Sequence, residues 1–325
     1  MRKRRALLFG CLLLLCSGFD WPGRVARLGR ELRSDETERR LEAVRLLAHY
    51  PASRAGEAVM RALEDEEAPV RAEAARTAAR IRLRDAVPVL LDWLDAPEAD
   101  ARVAAARALC DLGDERAIDP LVRLLGDGSA EVRRAALDAL AGMEAERALS
   151  PLLGRLQDDD QGVRLVAIRA AGQRGDPRAV LPLIGCTRDS QAEIRMAAHA
   201  ALGDIGDARA LSALAAGLDD TSEPVRLSAA AALGRLGQEA AMDAFSARVS
   251  AADTRTATTM IAAAGNIEGD QARRFLLDRP RQAGKGGGRS ADRARPPGER
   301  ISGQPGPGGR PGDRGAGWVD EGERR

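Results

Sequence analysis

The sequence predicts an all-α protein, specifically a right-handed α-solenoid of about eight helix-turn-helix units of 31 residues each. Alanine, leucine and arginine dominate the 325 residues and aromatic residues make up only 2%, which favours long helices packed through small side chains. An arginine also recurs every 31 residues, seven times in succession. This column consists of Arg40, Arg71, Arg102, Arg133, Arg164, Arg195 and Arg226.

Four consecutive stretches that align without a gap define the repeat, and they begin at Asp114, Ala145, Asp176 and Asp207. Each contains two helical patterns separated by a polar turn. In the fourth unit, the second pattern places apolar residues on one face of a helix. They are Val132, Ala135, Ala136, Ala139, Leu140 and Met143. Because a unit this small cannot bury such a face alone, it must stack on its neighbours.

Local signals support the same register. A glycine column near the end of the second helices predicts close helix packing; it consists of Gly172, Gly203, Gly234 and Gly265. Ser129, Ser190 and Ser222 are placed to cap second helices, and Asp176-Pro177 to begin a first helix. A proline column lies in the first helical pattern and means that this helix either kinks or begins there. It consists of Pro120, Pro151 and Pro182.

The first helix carries the pattern A-x-x-P-L and the second VR-x-x-A-x-x-AL. In these positions the chain resembles HEAT repeats of the phycobilisome-lyase-like subtype, from residue 21 to about residue 268. The eighth unit departs from the pattern, with Thr256-Ala257 in place of Val-Arg, as expected of an atypical capping repeat. The resemblance implies a fold, but such modules serve many unrelated functions. Bilin lyases of this subtype attach or detach tetrapyrroles, so a lyase-like or other small-molecule-binding enzyme is the alternative function.

The two ends differ from the repeats and divide the chain into residues 1–18, 19–280 and 281–325. The first segment has a basic start at residues 2–5 and an apolar run at residues 6–16, which is typical of an export signal. Cleavage after Gly18 is the preferred interpretation, and a lipid anchor at Cys16 or an uncleaved anchor are the alternatives. The last segment is rich in glycine and proline, which predicts disorder. It is either a flexible arm or the translation of a shifted reading frame.

The charge and the residue types of the chain argue against several classes of function. Residues 19–280 hold 36 basic and 43 acidic side chains. Their net charge is therefore negative, which gives no general attraction to a nucleic-acid backbone. The only histidines, His49 and His199, are 150 residues apart, so spacing suggests no catalytic or metal-binding histidine cluster. A HEAT-repeat hydroxylase would carry several His-Glu pairs to hold two irons. We therefore expect no enzyme activity, no cofactor and no nucleic-acid partner, and contact with a membrane only through an uncleaved or lipidated N-terminus.

The arginine column has two interpretations. It could be a phosphate-binding stripe, but an aspartate column stands six residues before five of the arginines, and this spacing favours ion pairing within or between units. The expected structural ladder consists of Asp65, Asp127, Asp158, Asp189 and Asp220 with Arg71, Arg133, Arg164, Arg195 and Arg226.

An apolar strip is the candidate partner-binding site. On a helical wheel, the residues one and four positions after the column arginine point away from the apolar face, yet several of them are apolar. The strip consists of Leu137, Leu165, Ile168, Met196, His199 and Leu227. These side chains either form a docking surface or pack sideways between neighbouring second helices. The expected function is a non-catalytic scaffold that binds protein partners in an exported, periplasmic or envelope location.

Overall fold

The computed structural model describes residues 23–143, 145–237 and 239–283, and within them it contains 17 α-helices and no strand. The expected all-α solenoid is confirmed. The first eight helices are α1 (Arg24–Glu31), α2 (Thr37–Leu47), α3 (Ala52–Ala62), α4 (Ala68–Arg80), α5 (Val87–Trp93), α6 (Ala99–Leu112), α7 (Ile118–Leu124) and α8 (Ala130–Gly142). The others are α9 (Leu149–Gly154), α10 (Gln161–Arg174), α11 (Val180–Cys186), α12 (Ala192–Ile205), α13 (Leu211–Gly217), α14 (Glu223–Leu236), α15 (Ala241–Arg248), α16 (Thr254–Ala264) and α17 (Asp270–Ala283).

The helices alternate between two roles. Odd-numbered helices from α1 to α15 are the first helices of units 1 to 8, and even-numbered helices from α2 to α16 are the second helices. Each internal second helix packs against its own first helix and against the second helices of both neighbouring units, as α12 does against α11, α10 and α14. The continuous core therefore runs along the second helices, which are covered on three sides.

Three of the first helices begin at an aspartate followed by a short 3-10 turn. The carboxylates of Asp114, Asp176 and Asp207 each accept a hydrogen bond from the backbone amide two residues later, as expected at Asp176-Pro177. The α-helix then starts two residues before each proline of the column, for example at Ile118 before Pro120. The proline therefore lies in the first turn, where its missing N–H leaves no helical hydrogen bond unmade.

The expected serine caps are wrong. Ser129 and Ser222 stand at N-cap positions but their side chains accept no capping hydrogen bond, and Gln191 replaces Ser190 at the start of α12. The turn is held instead by an aspartate two residues before the cap: Asp127 accepts from the amide of Ser129 and Asp220 from that of Ser222.

The glycine column makes close contact between second helices in three units. A Cβ added at Gly172, Gly203 or Gly234 would lie 2.7–2.8 Å from the Cβ of an alanine on the next second helix. That is closer than side-chain carbon atoms approach each other. Gly265 differs, because an added Cβ there would meet only the carbonyl oxygens of the preceding turn.

Most of the two terminal segments lies outside the described residues, including the expected signal at residues 1–18. Helix α17 ends at Ala283, three residues into the expected tail. Between residues 23 and 283, no described helix has both the length and the apolarity needed to cross a membrane.

Candidate functional site

The column arginines connect neighbouring units. The guanidinium of Arg133, in unit 4, donates to both carboxylate oxygens of Asp158, 25 residues later in unit 5, at 2.9 Å from Nε and 2.7 Å from Nη2. Its Nη1 donates to the backbone carbonyls of Asp127 and Gly128 in the turn of its own unit. One side chain thus joins the turn before its own helix to the turn of the next unit.

Ion pairs between the same two positions recur along the array, although Arg164 and Asp189 lie 3.5 Å apart without a hydrogen bond. The carboxylate partner lies 25 residues after the arginine in five cases: Arg40 with Asp65, Arg102 with Asp127, Arg133 with Asp158, Arg164 with Asp189, and Arg195 with Asp220. Arg226 pairs with Asp253, 27 residues later in the atypical eighth unit. We call these six pairs the arginine ladder. Arg40, Arg102 and Asp253 were not among the ladder residues expected from the sequence.

One rung is missing. Arg71 donates to the backbone carbonyls of Asp65 and Glu66, but Ala96 stands 25 residues after it, where the other units carry aspartate. The arginine of unit 2 therefore has the contact to its own turn without the ion pair to unit 3.

Hydrogen bonds favour the ionised form of the ladder aspartates Asp158 and Asp220. Burial by itself would raise the pKa of Asp158, but hydrogen bonds from Arg133 and from the backbone amide of Asp160 outweigh it, and the pKa falls below its usual value. At Asp220 the hydrogen bond from Arg195 is the main cause of a lowered pKa. Charge-assisted, bidentate pairs of this kind are the stronger class of hydrogen bond. The guanidinium groups of the ladder bind carboxylates and backbone carbonyls of this same chain. This supports a structural role for the arginine column and argues against a phosphate-binding stripe.

The expected apolar strip divides into two sets of residues. Leu137, Ile168 and His199 were expected to point outward, and that placement is wrong because all three are at most 1% exposed. They occupy the side of each second helix that packs against neighbouring helices, which a single-helix wheel treats as free. Packing between neighbouring second helices, the alternative to a docking surface, explains why these three side chains are apolar or buried.

The other half of the strip does reach the surface. Met196 is 38% exposed, and Leu165 and Leu227 are half-buried. These three side chains follow the column arginines of units 5, 6 and 7. Four residues beyond each lies a second position of the same surface, which carries exposed Arg169 in unit 5 but half-buried Ala200 in unit 6 and Ala231 in unit 7.

The second-helix surface changes character along the array. In units 1 to 3 that second position is exposed arginine, namely Arg45, Arg76 and Arg107. In units 6 and 7 both positions are uncharged, which leaves an apolar patch that we call the uncharged face. It is formed by Met196, Ala200, Leu227 and Ala231.

The rims of the uncharged face carry charge, but its centre does not. Glu193 accepts a hydrogen bond from the side chain of Gln161, and Glu223 forms an ion pair with Arg255. At the other end of these helices Arg235 pairs with Asp204. An apolar centre within a polar, already paired rim is the usual anatomy of a protein interface.

His199, also on α12, is buried at the position where units 4 and 5 carry Leu137 and Ile168. Its Nδ1 has no hydrogen-bond partner, and burial lowers the pKa of the imidazole to about 4. The ring fits because Gly217 faces it: a Cβ added at Gly217 would lie 2.5 Å from the histidine Nε2. Within the described residues, no three His, Cys, Asp or Glu side chains are grouped as a metal site.

Two cysteines lie within the described part of the chain, and both are free thiols. Cys186 is buried in α11, and burial raises the pKa of its thiol to about 11. The half-buried Cys110 also has a raised pKa, chiefly because of burial. Since the thiolate is the reactive form, both behave as small packing residues.

The comparisons with known proteins agree with this architecture. The family model for HEAT repeats matches residues 25–102, 87–164 and 155–233. The structure of YibA from Escherichia coli is 19% identical, with a TM-score of 0.56 over 73% of this chain and 91% of that chain. No curated protein sequence matches the chain significantly.

Two enzyme structures also align with the chain. The complex of CpcE and CpcF of phycocyanin lyase from Nostoc sp. PCC7120 is 25% identical, with a TM-score of 0.43 over 73% of this chain and 94% of that chain. Human deoxyhypusine hydroxylase is 23% identical, with a TM-score of 0.35 over 74% of this chain and 95% of that chain.

Proposed function

The chain belongs to the HEAT-repeat family, and from that premise we propose that it is a non-catalytic scaffold that binds a protein partner through the uncharged face. The observation that carries the proposal is the replacement of charged side chains by Met196, Ala200, Leu227 and Ala231 on the second helices of units 6 and 7. Solvent-facing positions need no apolar side chains for stability, so a contiguous apolar group there indicates contact with a partner.

The partner expected from this chemistry presents an apolar surface. The uncharged face offers a methionine, a leucine and two alanines, and methionine adapts its shape to different apolar partners. The paired carboxylates at the rim would contribute little affinity, since solvent-exposed ion pairs are weak. Apolar burial at the centre would therefore provide most of the binding energy.

A non-catalytic role is consistent with the placement of the histidines. His49 lies exposed at the end of the second helix of unit 1, whereas His199 is buried in unit 6. The pair therefore cannot cooperate in acid-base catalysis, which needs groups within hydrogen-bond reach of one substrate.

To test the role of the uncharged face, we chose substitutions that the array already contains. Ala200→Arg with Ala231→Arg places arginine where units 1, 2, 3 and 5 carry it, so the fold should be kept. We expect the double variant to lose its partner in affinity capture from the native envelope fraction, because two desolvated charges would enter an apolar contact.

The matched control is Leu181→Arg, which changes a leucine that is 64% exposed on the first helix α11. This variant should capture the same partner as the wild type, and circular dichroism should show equal helicity in all three proteins. Capture that is equal in the double variant and the wild type would refute the proposed surface.

We propose further that the scaffold works outside the cytoplasm, on the basis of the basic start and eleven-residue apolar run of the N-terminal sequence. Mass spectrometry of the protein from its native cells should give a chain that begins at Phe19. An intact Met1 in the soluble cytoplasmic fraction would contradict export, and a lipidated Cys16 would contradict cleavage after Gly18.

A further inference from the structure

A cavity of about 200 Å³ opens between the first helices of units 6 and 7, away from the uncharged face. Its wall on one side is the end of α11, and on the other side it is α13. The polar lining consists of Thr187, Arg188, His199, Arg209, Ser212 and Asp220. We call it the His199 cavity.

The cavity arises from departures from the repeat. Helix α13 has the sequence LSALAAG, and its small residues Ser212, Ala213 and Ala216 form one wall. The corresponding helix α7 is IDPLVRL, with larger side chains at most of these positions. A single water needs about 10–15 Å³ of such space, so the cavity can hold a small organic molecule.

The inner end of the cavity has unused hydrogen-bonding capacity. His199 is only 1% exposed and its Nδ1 has no partner, although buried polar groups are normally hydrogen-bonded. Because Gly217 has no side chain, the Nε2 and Cε1 edge of the ring lies directly against the cavity wall. The corresponding residues in units 4, 5 and 7 are Leu137, Ile168 and Ala230, so packing does not require a histidine.

The charges around the cavity leave one cation unpaired. Asp220 is held by Arg195, and Arg209 is held by Asp207. Nearby Asp189 pairs with Arg164, and Asp219 with Arg248.

The side chain of Arg188, by contrast, is exposed at the cavity, and its guanidinium forms no ion pair or hydrogen bond with any described residue. The cavity therefore carries one unbalanced positive charge, which a single negative charge on a ligand would neutralise.

We propose that the His199 cavity is a binding site for a small organic monocarboxylate, with the carboxylate paired to Arg188 and the body of the ligand enclosed between α11 and α13 over His199. The planar guanidinium matches a carboxylate in shape as well as charge. The carboxylate of Asp220 also lines the site, so a dianion such as phosphate would be repelled more than a monoanion. The neutral imidazole contributes a hydrogen bond without adding charge.

The chain offers a direct measurement, since it contains only two histidines. In protein labelled with ¹³C and ¹⁵N at histidine, titration of the full chain with propionate at pH 7 should shift the imidazole signals of His199 saturably. The signals of exposed His49 should not move. Propionamide, which has the same shape without the charge, and inorganic phosphate should each cause a weaker response.

Two variants locate the effect. Arg188→Gln should weaken propionate binding by about tenfold, as expected for loss of one charge-assisted contact. Ala216→Leu should fill the cavity and abolish the His199 response while leaving helicity unchanged. The proposal is overturned if propionate leaves the His199 signals in place, if propionamide or phosphate binds as tightly, or if Arg188→Gln binds like the wild type.

Discussion

Asp158→Ala should lower the free energy of unfolding by about 3–5 kcal/mol, the usual cost of removing one partner of a buried ion pair. The Asp158 side chain is 3% exposed and accepts hydrogen bonds from Arg133, Arg155 and the backbone amide of Asp160. Without it, the guanidinium of Arg133 remains buried at the unit boundary with no carboxylate. Urea denaturation followed by circular dichroism measures the loss.

The neighbouring residue supplies a matched control for this prediction. Asp159 is exposed, and only its backbone carbonyl takes part in the ladder, as an acceptor from Arg164. Asp159→Ala should therefore change stability by no more than about 0.5 kcal/mol. Equal midpoints for the two variants would show that the ladder contributes nothing to stability.

The second large effect is a loss of stability in mild acid caused by His199. Burial lowers the pKa of this imidazole to about 4; the Asp220 carboxylate opposes the shift and Arg195 adds to it. In the unfolded chain the pKa is about 6.5. Between these values the unfolded chain binds a proton that the folded chain does not, so stability falls as the pH drops from about 6.5 towards about 4. The total loss expected is about 3 kcal/mol.

His199→Leu, which restores the residue found in unit 4, should remove this pH dependence. The carboxylates with lowered pKa, such as Asp158 and Asp220, act below about pH 4 and should still destabilise the variant there. Replacement of the exposed His49 by glutamine should leave the curve unchanged. If urea midpoints of the wild type stay constant from pH 6.5 to pH 4, His199 does not become protonated in this way.

The repeat register, the helix pairs and the close approach at Gly172, Gly203 and Gly234 followed from the sequence because they depend on spacing alone. The direction of the ladder did not. Asp158 lies six residues before Arg164, and this spacing left pairing within a unit and pairing between units both open. The carboxylate turns to Arg133 in the preceding unit, 25 residues earlier, while its backbone carbonyl serves Arg164. A search for partners at 25 residues would have revealed Arg40 and Arg102 as well.

The predicted outward placement of Leu137, Ile168 and His199 was wrong for a different physical reason. A wheel drawn for one helix assigns one buried face, but a second helix in a stack is enclosed by three helices. Leu137 and Ile168 lie within this wider buried arc, whereas Met196 lies outside it. The signal was present in the column itself, since the same position holds Val44, Ala75 and Ala106 in units 1 to 3. Such uniformly apolar residues indicate burial.

The missing rung at Ala96 makes the array unequal along its length. In a linear stack each unit is stabilised by its own interior and by its two boundaries, so cooperativity passes from unit to unit only through those boundaries. The boundary between units 2 and 3 keeps its apolar packing but lacks the ion pair that Arg71 would otherwise form. Opening fluctuations should therefore concentrate there, with the two N-terminal units exchanging their amide hydrogens as one block and the following units as another.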